Sequence, residues 1–251
     1  MLLPERRERI MAILKEKHSV TVSELSRALF ISETSVRRDL TFLERKGLLH
    51  KTYGGAVLLT HENEVLSLSA RQETEKSAKL FIAQKAVGLI RGGDVLYLDS
   101  SSTALCMAPY LGRFDSLTVI TNGAKIALAL AEHPNVRVYS TGGLLSPNIF
   151  SYNGSMALQA IRGMHADKAF ISPKAIDKAL GAFCAGEEET AIRRAMMERA
   201  QRTILLCAAR KANCCAPFRL CAWEAVDTVL CDTSLDEEWQ ACLERAHTQL
   251  L

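Results

Sequence analysis

The spacing of apolar residues near the amino terminus predicts three short helices joined by turns. Helix one is expected from Pro4 to Lys17, helix two from Val22 to about Leu29, and helix three from Ser32 to Gly47. The inward faces should hold the apolar residues that recur at helical intervals, namely Ile10, Met11, Ile13, Leu14, Leu25, Ala28, Leu29, Val36, Leu40 and Leu43.

Capping residues mark where two of these helices begin. Thr21 and Glu24 form a T-x-x-E capping box, which follows a short β-branched segment that is typical of a strand. Ser32 is expected to cap helix three, because its hydroxyl can accept from a backbone N–H of the first turn. Gly47 fits the left-handed position just beyond that helix. Helices two and three with their turn therefore predict a helix-turn-helix.

Alternation after the third helix predicts a β-hairpin. Leu48 to Tyr53 alternates as a strand does, Gly54 and Gly55 permit a sharp turn, and residues 56–59 can return as the partner strand. Such a hairpin is a wing, and Lys51 and Tyr53 near its tip suit phosphate contact. A purely structural hairpin is the alternative.

Beyond residue 73, short apolar strands alternate with amphipathic helices. Residues 59–73 are polar and aperiodic, so we expect a linker between a first domain (1–58) and a second domain (74–251). The alternation predicts an α/β fold with a mostly parallel sheet that is covered on both faces. Strands are expected at 95–99, 117–122, 136–141, 167–172, 203–208 and 229–232, with helices at 74–90, 104–111, 124–133, 155–164, 188–201 and 235–247.

Positive charge is concentrated in the first domain. Residues 1–56 hold eleven Lys or Arg against seven Asp or Glu, whereas the remainder holds twenty against twenty-one. A basic excess is expected where a protein meets phosphates. Thr34, Ser35, Arg37 and Arg38 lie off the apolar stripe near the front of helix three, where recognition helices place their DNA-reading side chains. Alone, these residues also fit an ordinary solvated helix face.

Composition argues against several other classes of protein. No uninterrupted apolar stretch reaches the roughly 18 residues that a membrane span requires, and the charged first residues do not match a signal peptide. We therefore expect a cytoplasmic protein whose eight cysteines are reduced thiols. Their spacing is not typical of zinc sites, so neither a metal nor a cofactor is expected. Redox sensing, if present, would be sought at Cys214 and Cys215.

Hydroxyl-rich segments follow three consecutive predicted strands. They are Asp99 to Thr103, Thr121 to Gly123 and Thr141 to Gly143. In parallel sheets, ligands bind at the carboxyl ends of strands where the strand order reverses, and a helix N-terminus attracts anions there. One such segment could simply cap a helix or make a turn. Three in succession favour an anion-binding crevice.

A nearly continuous motif spans the first domain, V-x-E-L-S-x-x-L-x-I-S-x-x-S-V-R-R-D-L, and is followed by Y-G-G-A. From Ile10 to Val57 it resembles the N-terminal domain of the DeoR family of bacterial transcriptional regulators. Ser35 and Val36 stand where that family more often has Thr-Ile, which preserves the hydroxyl and the β-branched core position. The candidate residues for binding operator DNA are Thr21, Ser32, Thr34, Ser35, Arg37, Arg38, Lys51, Tyr53, Gly54 and Gly55.

The segments D-S-S-S-T and V-I-T-N-G, with the stretch from Thr141 to Gly154, resemble the sensor domain of the same family. Its fold is similar to ribose-5-phosphate isomerase and glucosamine-6-phosphate deaminase, and its usual effectors are phosphorylated sugars. The resemblance implies that one set of residues holds the phosphate, namely Asp99, Ser100, Ser101, Ser102 and Thr103. It implies that a second set lines the sugar, namely Thr121, Asn122, Gly142 and Gly143.

The rest of the expected ligand shell departs from the family pattern. The segment from Ser172 to Asp177 replaces a glycine-rich G-x-x-G-I-D loop, and A-D-S-S-K becomes the segment from Cys207 to Lys211, which keeps only the lysine. Lys174 and Arg210 add positive charge that could hold an anion in an altered pose. We include Lys174, Asp177 and Lys211 among the effector candidates and expect a non-standard effector or weakened sugar sensing.

Together these patterns predict a DNA-binding repressor of carbohydrate-metabolism genes that responds to a phosphorylated sugar or a related anionic metabolite. A homo-oligomer, dimer or tetramer, is expected because helix-turn-helix proteins commonly bind paired half-sites. The alternative is a sugar-phosphate isomerase or deaminase that carries a DNA-binding domain, with Asp99, Asp177 and Glu187 as available carboxylates. No histidine follows a predicted strand to serve as a base, so an enzyme is not expected. Activation instead of repression depends on operator position.

Overall fold

The computed structural model describes residues 3–17, 19–45, 48–52, 54–58 and 68–251. The chain divides into two compact units, Met1–Arg71 and Gln72–Leu251. Three predictions for the amino-terminal part, the C-cap at Gly47, the role of Tyr53 and the course of residues 59–67, lie outside the described residues. No helix among the described residues is both long and apolar enough to cross a bilayer.

The first unit folds as a helix-turn-helix followed by a β-hairpin, as the sequence predicts. Its three strands form an antiparallel sheet in the order β1-β3-β2. The elements are α1 (Leu3–Lys17), β1 (Ser19–Thr21), α2 (Val22–Leu29), α3 (Glu33–Arg45), β2 (Leu49–Thr52) and β3 (Gly55–Leu58), and α4 (Leu68–Glu73) follows them. Helix α4 occupies the last six residues of the segment that the sequence predicts to be a linker.

The core of this unit is built largely from the predicted apolar stripes. Val36, Leu40 and Leu43 of α3 are all buried against Ile10 and Leu14 of α1, within one cluster. One assignment is wrong, because the side chain of Ala28 is exposed. The buried face of α2 consists instead of Val22, Leu25 and Leu29, which recur at i, i+3 and i+7.

Both predicted N-caps are confirmed. The Thr21 hydroxyl accepts from the Glu24 backbone N–H at 3.1 Å, and the Thr21 backbone N–H donates to the Glu24 carboxylate at 2.7 Å. The Ser32 hydroxyl accepts from the Ser35 backbone N–H at 3.3 Å. Each cap gives a partner to an N–H that has none within its helix, and this fixes where α2 and α3 begin.

A buried carboxylate fastens α3 to α1. Asp39 is 1 % exposed and accepts from Arg6 Nε at 2.6 Å and from Arg7 Nε at 3.1 Å. The Arg7 guanidinium also lies 3.5 Å from the centre of the Phe42 ring, within the range of a cation–π contact. Because breaking a buried charge pair is costly, this contact fixes how α3 is presented on the unit.

Gly55 allows the wing to pair with β1. A Cβ atom on Gly55 would lie 2.1 Å from the Val20 carbonyl oxygen, whereas a Cβ on Gly54 would meet no atom within 4 Å. Gly55 is buried and Gly54 is exposed. Beyond the sharp turn that the sequence predicts, Gly55 therefore also permits the close approach of β3 to β1.

The second unit alternates strands and helices along the chain. Its helices are α5 (Lys76–Val87), α6 (Ser102–Leu105), α7 (Ala108–Leu111), α8 (Ala124–Leu130), α9 (Gly154–Arg162), α10 (Glu187–Glu198) and α11 (Glu237–Arg245), with 3-10 turns at Ala209–Lys211 and Trp223–Ala225. Its strands are β4 (Val95–Leu98), β5 (Leu117–Thr121), β6 (Val136–Ser140), β7 (Leu144–Ser146), β8 (Ser151–Asn153), β9 (Ala166–Ile171), β10 (Ala175–Asp177), β11 (Gly181–Cys184), β12 (Ala200–Leu206), β13 (Phe218–Cys221), β14 (Thr228–Leu230) and β15 (Gln249–Leu250).

A seven-stranded parallel sheet organises this unit, in the order β15-β14-β12-β9-β4-β5-β6. Leu96 and Leu98 of β4 contribute to one buried layer, which also contains Ile82 of α5. Tyr97 contributes to the opposite layer with Ile192 of α10. The prediction of a parallel sheet covered on both faces is therefore confirmed.

The strand order reverses between β4 and β9. From β4 the chain proceeds to β5 and β6 on one side, whereas from β9 it proceeds to β12, β14 and β15 on the other. The segments that follow β4 and β9 therefore lead away in opposite directions and leave a crevice at the carboxyl ends of these strands. Asp99 and Ser172 are the first residues after the two strands.

The structure corrects several predicted elements of the second unit. The helix expected at 104–111 is two helices of four residues each, α6 and α7. Two small antiparallel sheets, β7-β8 and β10-β11-β13, were not predicted. The strands of these small sheets are three or four residues long, too short for alternation to distinguish them from loops.

We expect Gly55→Ala to lower the free energy of unfolding of the first unit by about 3 kcal/mol, the upper end for an overpacked site. The added methyl group would have to displace the Val20 carbonyl, which is paired in the sheet. Gly54→Ala is the matched control and should change stability by less than about 0.5 kcal/mol. Urea denaturation followed by circular dichroism measures both, and equal stabilities would contradict the packing of β3 on β1.

Candidate nucleic-acid interface and candidate effector site

The front of α3 presents polar side chains to solvent. Thr34, Arg37 and Arg38 are exposed and Ser35 is half-buried, on the side of the helix away from its apolar stripe. The charge of Arg37 is partly balanced by Glu33, because its guanidinium lies 2.9 Å from the Glu33 carboxylate. An exposed, partly cationic helix face beside a fixed core is the geometry with which recognition helices enter the major groove.

The other predicted DNA-binding residues have mixed placements. Thr21 is exposed, but its hydroxyl serves the cap of α2. Lys51 is directed towards α3, because its ammonium donates to the Thr41 hydroxyl at 2.9 Å and its backbone N–H donates to the Glu44 carboxylate at 2.8 Å. Gly54 is exposed at the tip of the wing. In this conformation Lys51 helps hold the wing to α3.

Sequence reasoning missed the structural role of Asp39, Arg6 and Arg7. The available signal was position, since Asp39 lies three residues after Val36 and immediately before Leu40, on the inward side of α3. A carboxylate on a buried face requires a cationic or hydrogen-bonding partner. Two arginines near the start of α1 supply it.

In the second unit, Asp99 is the centre of the crevice between β4 and β9. Its side chain is 1 % exposed, and one carboxylate oxygen accepts from Arg193 Nε at 2.7 Å and from the Ser172 backbone N–H at 3.0 Å. The other oxygen accepts from the Ser101 backbone N–H at 3.2 Å. Asp99 therefore ties the ends of both strands to α10 instead of offering a free carboxylate.

Arg193 is buried and balanced by two acids. Its guanidinium lies 2.7 Å from Asp99 and 2.8 Å from Glu189, and it also donates to the Cys184 sulfur. Burial by itself would lower the pKa of Arg193, but the neighbouring carboxylates raise its pKa well above the ordinary value. The guanidinium therefore remains charged in the folded protein. Nothing in the sequence pattern distinguishes it from Arg194, the exposed arginine that follows it in α10.

Lys211 brings a second cation to the same crevice. Its ammonium donates to the Ser172 hydroxyl at 3.0 Å and to the Pro173 carbonyl at 2.7 Å. Burial lowers the pKa of Lys211, and the guanidinium groups of Arg193 and Arg210 lower it further. Lys211, the one residue of its segment that keeps the family pattern, thus directs its ammonium into the crevice.

A third cation, Lys79 of α5, was predicted by no pattern. Its side chain is 5 % exposed, and its ammonium donates to the Thr74 carbonyl at 2.5 Å. Burial, together with the charge of Lys211, lowers the pKa of Lys79 to about 8. Arg210 forms an ion pair with Glu75 at the start of the same helix. Positive charge is thus concentrated near the Lys211 side of the crevice.

The hydroxyl-rich residues after β4 are brought together at the end of the strand, and their phosphate-binding role stays a prediction. Ser100, Ser101, Ser102 and Thr103 are all buried, and the Ser101 hydroxyl already accepts from the Ala104 backbone N–H. Helix α6, which they open, has only four residues. A helix of this length has only a small dipole, so the cationic side chains are the stronger source of positive potential in the crevice.

After β5, Thr121 and Asn122 behave differently from each other. The Thr121 hydroxyl donates to the Leu98 carbonyl at 2.7 Å and accepts from Gly123 at 3.0 Å, so it links β5 to β4 and is not available to line a sugar. The Asn122 amide nitrogen donates to the Tyr152 carbonyl at 3.2 Å. Its Oδ1 is buried and accepts no hydrogen bond from any residue the structure describes. Such an oxygen is an acceptor for a ligand hydroxyl.

Three further effector candidates are placed outside the centre of the crevice. The Asp177 carboxylate accepts from the Ala179 and Leu180 backbone N–H groups, both at 2.9 Å, and is committed to the turn between β10 and β11. The Lys174 side chain is exposed. Gly143 has a positive φ and a backbone packed against Asn153, which makes its role structural.

Gly142 fits a lining role better than Gly143. It has a φ of +62°, and a Cβ atom there would meet no atom within 4 Å.

Cys214 and Cys215 are exposed. No group of three or more potential metal ligands occurs among the residues that the structure describes.

Comparison with known protein families gives matches for both units. Residues 6–62 match the DeoR-like helix-turn-helix domain, and residues 74–233 match the DeoR C terminal sensor domain. The chain is 33 % identical over 233 residues to the HTH-type transcriptional regulator GolR of Listeria innocua, covering 93 % of this chain and 92 % of that protein.

Two further relatives are named as a repressor and as an activator. The HTH-type transcriptional repressor GlcR of Bacillus subtilis is 30 % identical over 251 residues, covering 100 % of this chain and 96 % of the relative. The L-fucose operon activator of Haemophilus influenzae is 31 % identical over 240 residues, covering 96 % of each chain. Among solved structures, ribose 5-phosphate isomerase A of Methanocaldococcus jannaschii is 16 % identical with a TM-score of 0.41 and covers 55 % of each chain.

We expect Asp99→Asn and Arg193→Met each to lower the free energy of unfolding by about 3–5 kcal/mol, because the first leaves the buried guanidinium with Glu189 alone and the second leaves the buried Asp99 carboxylate with no cation. The double variant should lose clearly less than the sum of the two single losses. Chemical denaturation of the four proteins gives the coupling directly. Strictly additive losses would show that the two groups do not stabilise each other.

Proposed function

Because the chain belongs to the DeoR family of DNA-binding transcriptional regulators and is not an enzyme, we propose that it represses carbohydrate-metabolism genes and is released or tuned by an anionic sugar metabolite. In this proposal, residues 1–58 bind operator DNA, residues 59–73 link the domains and residues 74–251 sense the effector. A phosphorylated sugar is the effector class, and the protein acts in the cytoplasm, where its operator lies.

The exposed front of α3 supports the DNA-binding part of the proposal. Arg37 and Arg38 would contact phosphates and position the protein, whereas Thr34 and Ser35 would reach base edges in the major groove. The buried contact of Asp39 with α1 holds this face in a fixed orientation. Affinity should therefore fall with salt, by a slope of roughly −0.9 for each phosphate that is neutralised.

We expect Arg38→Ala to weaken binding to operator DNA at least about tenfold, because an exposed cation of the recognition helix is lost. The operator is obtained by selecting DNA from a random pool with the wild-type chain, and affinity is measured by gel shift. Arg9→Ala removes an exposed arginine from α1 and serves as the control for net charge. Equal affinity of the Arg38→Ala variant and the wild type would overturn the assignment of α3.

The cations at the crevice between β4 and β9 carry the effector part of the proposal. Asp99 neutralises Arg193, but Lys211 and Lys79 lie in surroundings that lower the pKa of each. Burial is the main cause of both shifts, and repulsion among Lys79, Lys211 and Arg210 adds to it, so an anion placed beside these cations would be stabilised there. The Asn122 Oδ1 offers an acceptor to a sugar hydroxyl. A phosphorylated polyol satisfies both requirements.

The name of one relative agrees with the carbohydrate assignment, and the names of the two together allow regulation of either sign. One is a repressor and the other is an activator of an L-fucose operon. We retain repression as the proposed direction. A dimer or tetramer is also proposed, because helix-turn-helix proteins commonly engage two half-sites one helical turn apart. Mass photometry of the full chain distinguishes these states.

We expect calorimetric titration of the full chain with a panel of phosphorylated polyols to reveal a ligand other than the common hexose and pentose phosphates, and Lys211→Met to abolish its binding. Affinity should fall as pH rises past about 8, because Lys79 then loses the charge that attracts the anion. Between about pH 7 and pH 8 the lysine is largely protonated and the phosphate monoester, whose second pKa is about 6, is a dianion, so affinity should vary little there.

The same titration also tests whether Lys79 gains a proton when the anion binds. An anion favours the charged form of Lys79, so binding near pH 8 should take up protons and give heats that depend on the ionisation enthalpy of the buffer. Lys76→Met removes an exposed lysine from the same helix and should leave affinity unchanged. Unaltered binding by the Lys211→Met variant would place the effector elsewhere.

A further inference from the structure

The residue between the two helices of the helix-turn-helix is unusual in two respects. Phe30 adopts the left-handed conformation, with φ 54° and ψ 45°. Its side chain is 94 % exposed, which makes it the most exposed large hydrophobic side chain among the described residues. Bulky residues are rarely found at positive φ, and aromatic rings are rarely left in water.

The turn itself requires the left-handed conformation. The Phe30 backbone N–H donates to the Ser26 carbonyl, and the Ile31 backbone N–H donates to the same carbonyl at 3.1 Å. The Ser26 hydroxyl donates to the Ile31 carbonyl at 2.6 Å and closes the loop. A glycine at position 30 would satisfy this geometry without strain, as glycine does at the ends of many helices.

Phe30 therefore lowers stability at this position. A non-glycine residue in the left-handed region disfavours folding by roughly tenfold in the equilibrium constant. The exposed ring has no compensating burial within the unit. A strained residue that persists without a structural benefit points to a function for its side chain.

We propose that Phe30 is a specificity-determining DNA contact, whose ring packs against the 5-methyl group of a thymine beside the bases read by α3. The inference rests on the proposed DNA-binding function. Phe30 lies two residues before Ser32, the cap of α3, and therefore next to the end of that helix that enters the major groove. Phenylalanine contacts with the thymine methyl group are a recognised form of direct readout.

The other exposed apolar side chains of the unit are less suited to this contact. Phe42 is 37 % exposed, and its ring is covered by the Arg7 guanidinium. Leu3 lies in the first turn of α1 and not on either helix of the helix-turn-helix. Phe30 is thus the apolar group that the described surface presents beside Thr34 and Ser35.

The experiment uses the full chain and four proteins: wild type, Phe30→Gly, Phe30→Ala and His247→Gly. Phe30→Gly removes both the ring and the strain, whereas Phe30→Ala removes the ring and retains a Cβ atom at positive φ. His247 is another exposed residue in the left-handed conformation, in the second unit, so His247→Gly controls for the relief of strain alone. Thermal unfolding and gel shift on DNA selected by the wild type are measured for each.

We expect Phe30→Gly to be more stable than the wild type and yet to bind the selected DNA at least threefold more weakly. Phe30→Ala should lose affinity similarly without the gain in stability, and His247→Gly should keep wild-type affinity. Each thymine of the selected DNA is then replaced by deoxyuridine, which removes one methyl group. One replacement should weaken wild-type binding about fourfold, as expected for the loss of one buried methyl group, and should not affect Phe30→Gly.

Several results would overturn the inference. If Phe30→Gly binds DNA as the wild type does, the ring has no role in DNA recognition. A protein partner would then be the next candidate for contact with the ring. Lower stability of Phe30→Gly would show that the turn is not strained. Equal sensitivity of both proteins to every deoxyuridine would show that the ring contacts no thymine. Failure of the wild type to select any DNA would instead defeat the proposed function, which the Arg38→Ala comparison tests separately.

Discussion

The buried contact between Asp99 and Arg193 is the interaction on which the second unit depends. It joins the end of β4 to α10, and through the Ser172 backbone N–H it joins both to the end of β9. A carboxylate and a guanidinium are costly to bury separately, so neither is stable there without the other. The position of the crevice is therefore set by an ion pair, and Lys211 extends the same polar network to the chain that follows β12.

The main features of the fold could be predicted because they repeat along the chain. A helical period identified α1 and α3, and strand–helix alternation identified the parallel sheet. The capping box of Thr21 and Glu24 was predicted because its spacing is fixed by the geometry of one helical turn. Asp99 was correctly placed at the end of β4, since a buried strand followed by polar residues indicates where a ligand crevice opens.

Other features were missed because they depend on partners distant in sequence. Arg193 and Lys79 look like ordinary helix-surface cations until the sheet brings Asp99 and Lys211 beside them. Asp177 was assigned to the effector by motif position, whereas the local turn takes up its carboxylate. Ala28 was misassigned because alanine suits either face of a helix, and only the packing of Val22 decides between them.

The reversal of strand order determines which strands a ligand bound in the crevice would contact. The chain after Asp99 leads to β5 and β6, and the chain after Ser172 leads to β12, β14 and β15. A molecule bound between Asp99 and Ser172 would contact both halves of the sheet, which meet where β4 pairs with β9. Because β4 and β9 are hydrogen-bonded neighbours, a ligand held at their ends would act on both halves of the sheet through this central pair of strands instead of through a single loop.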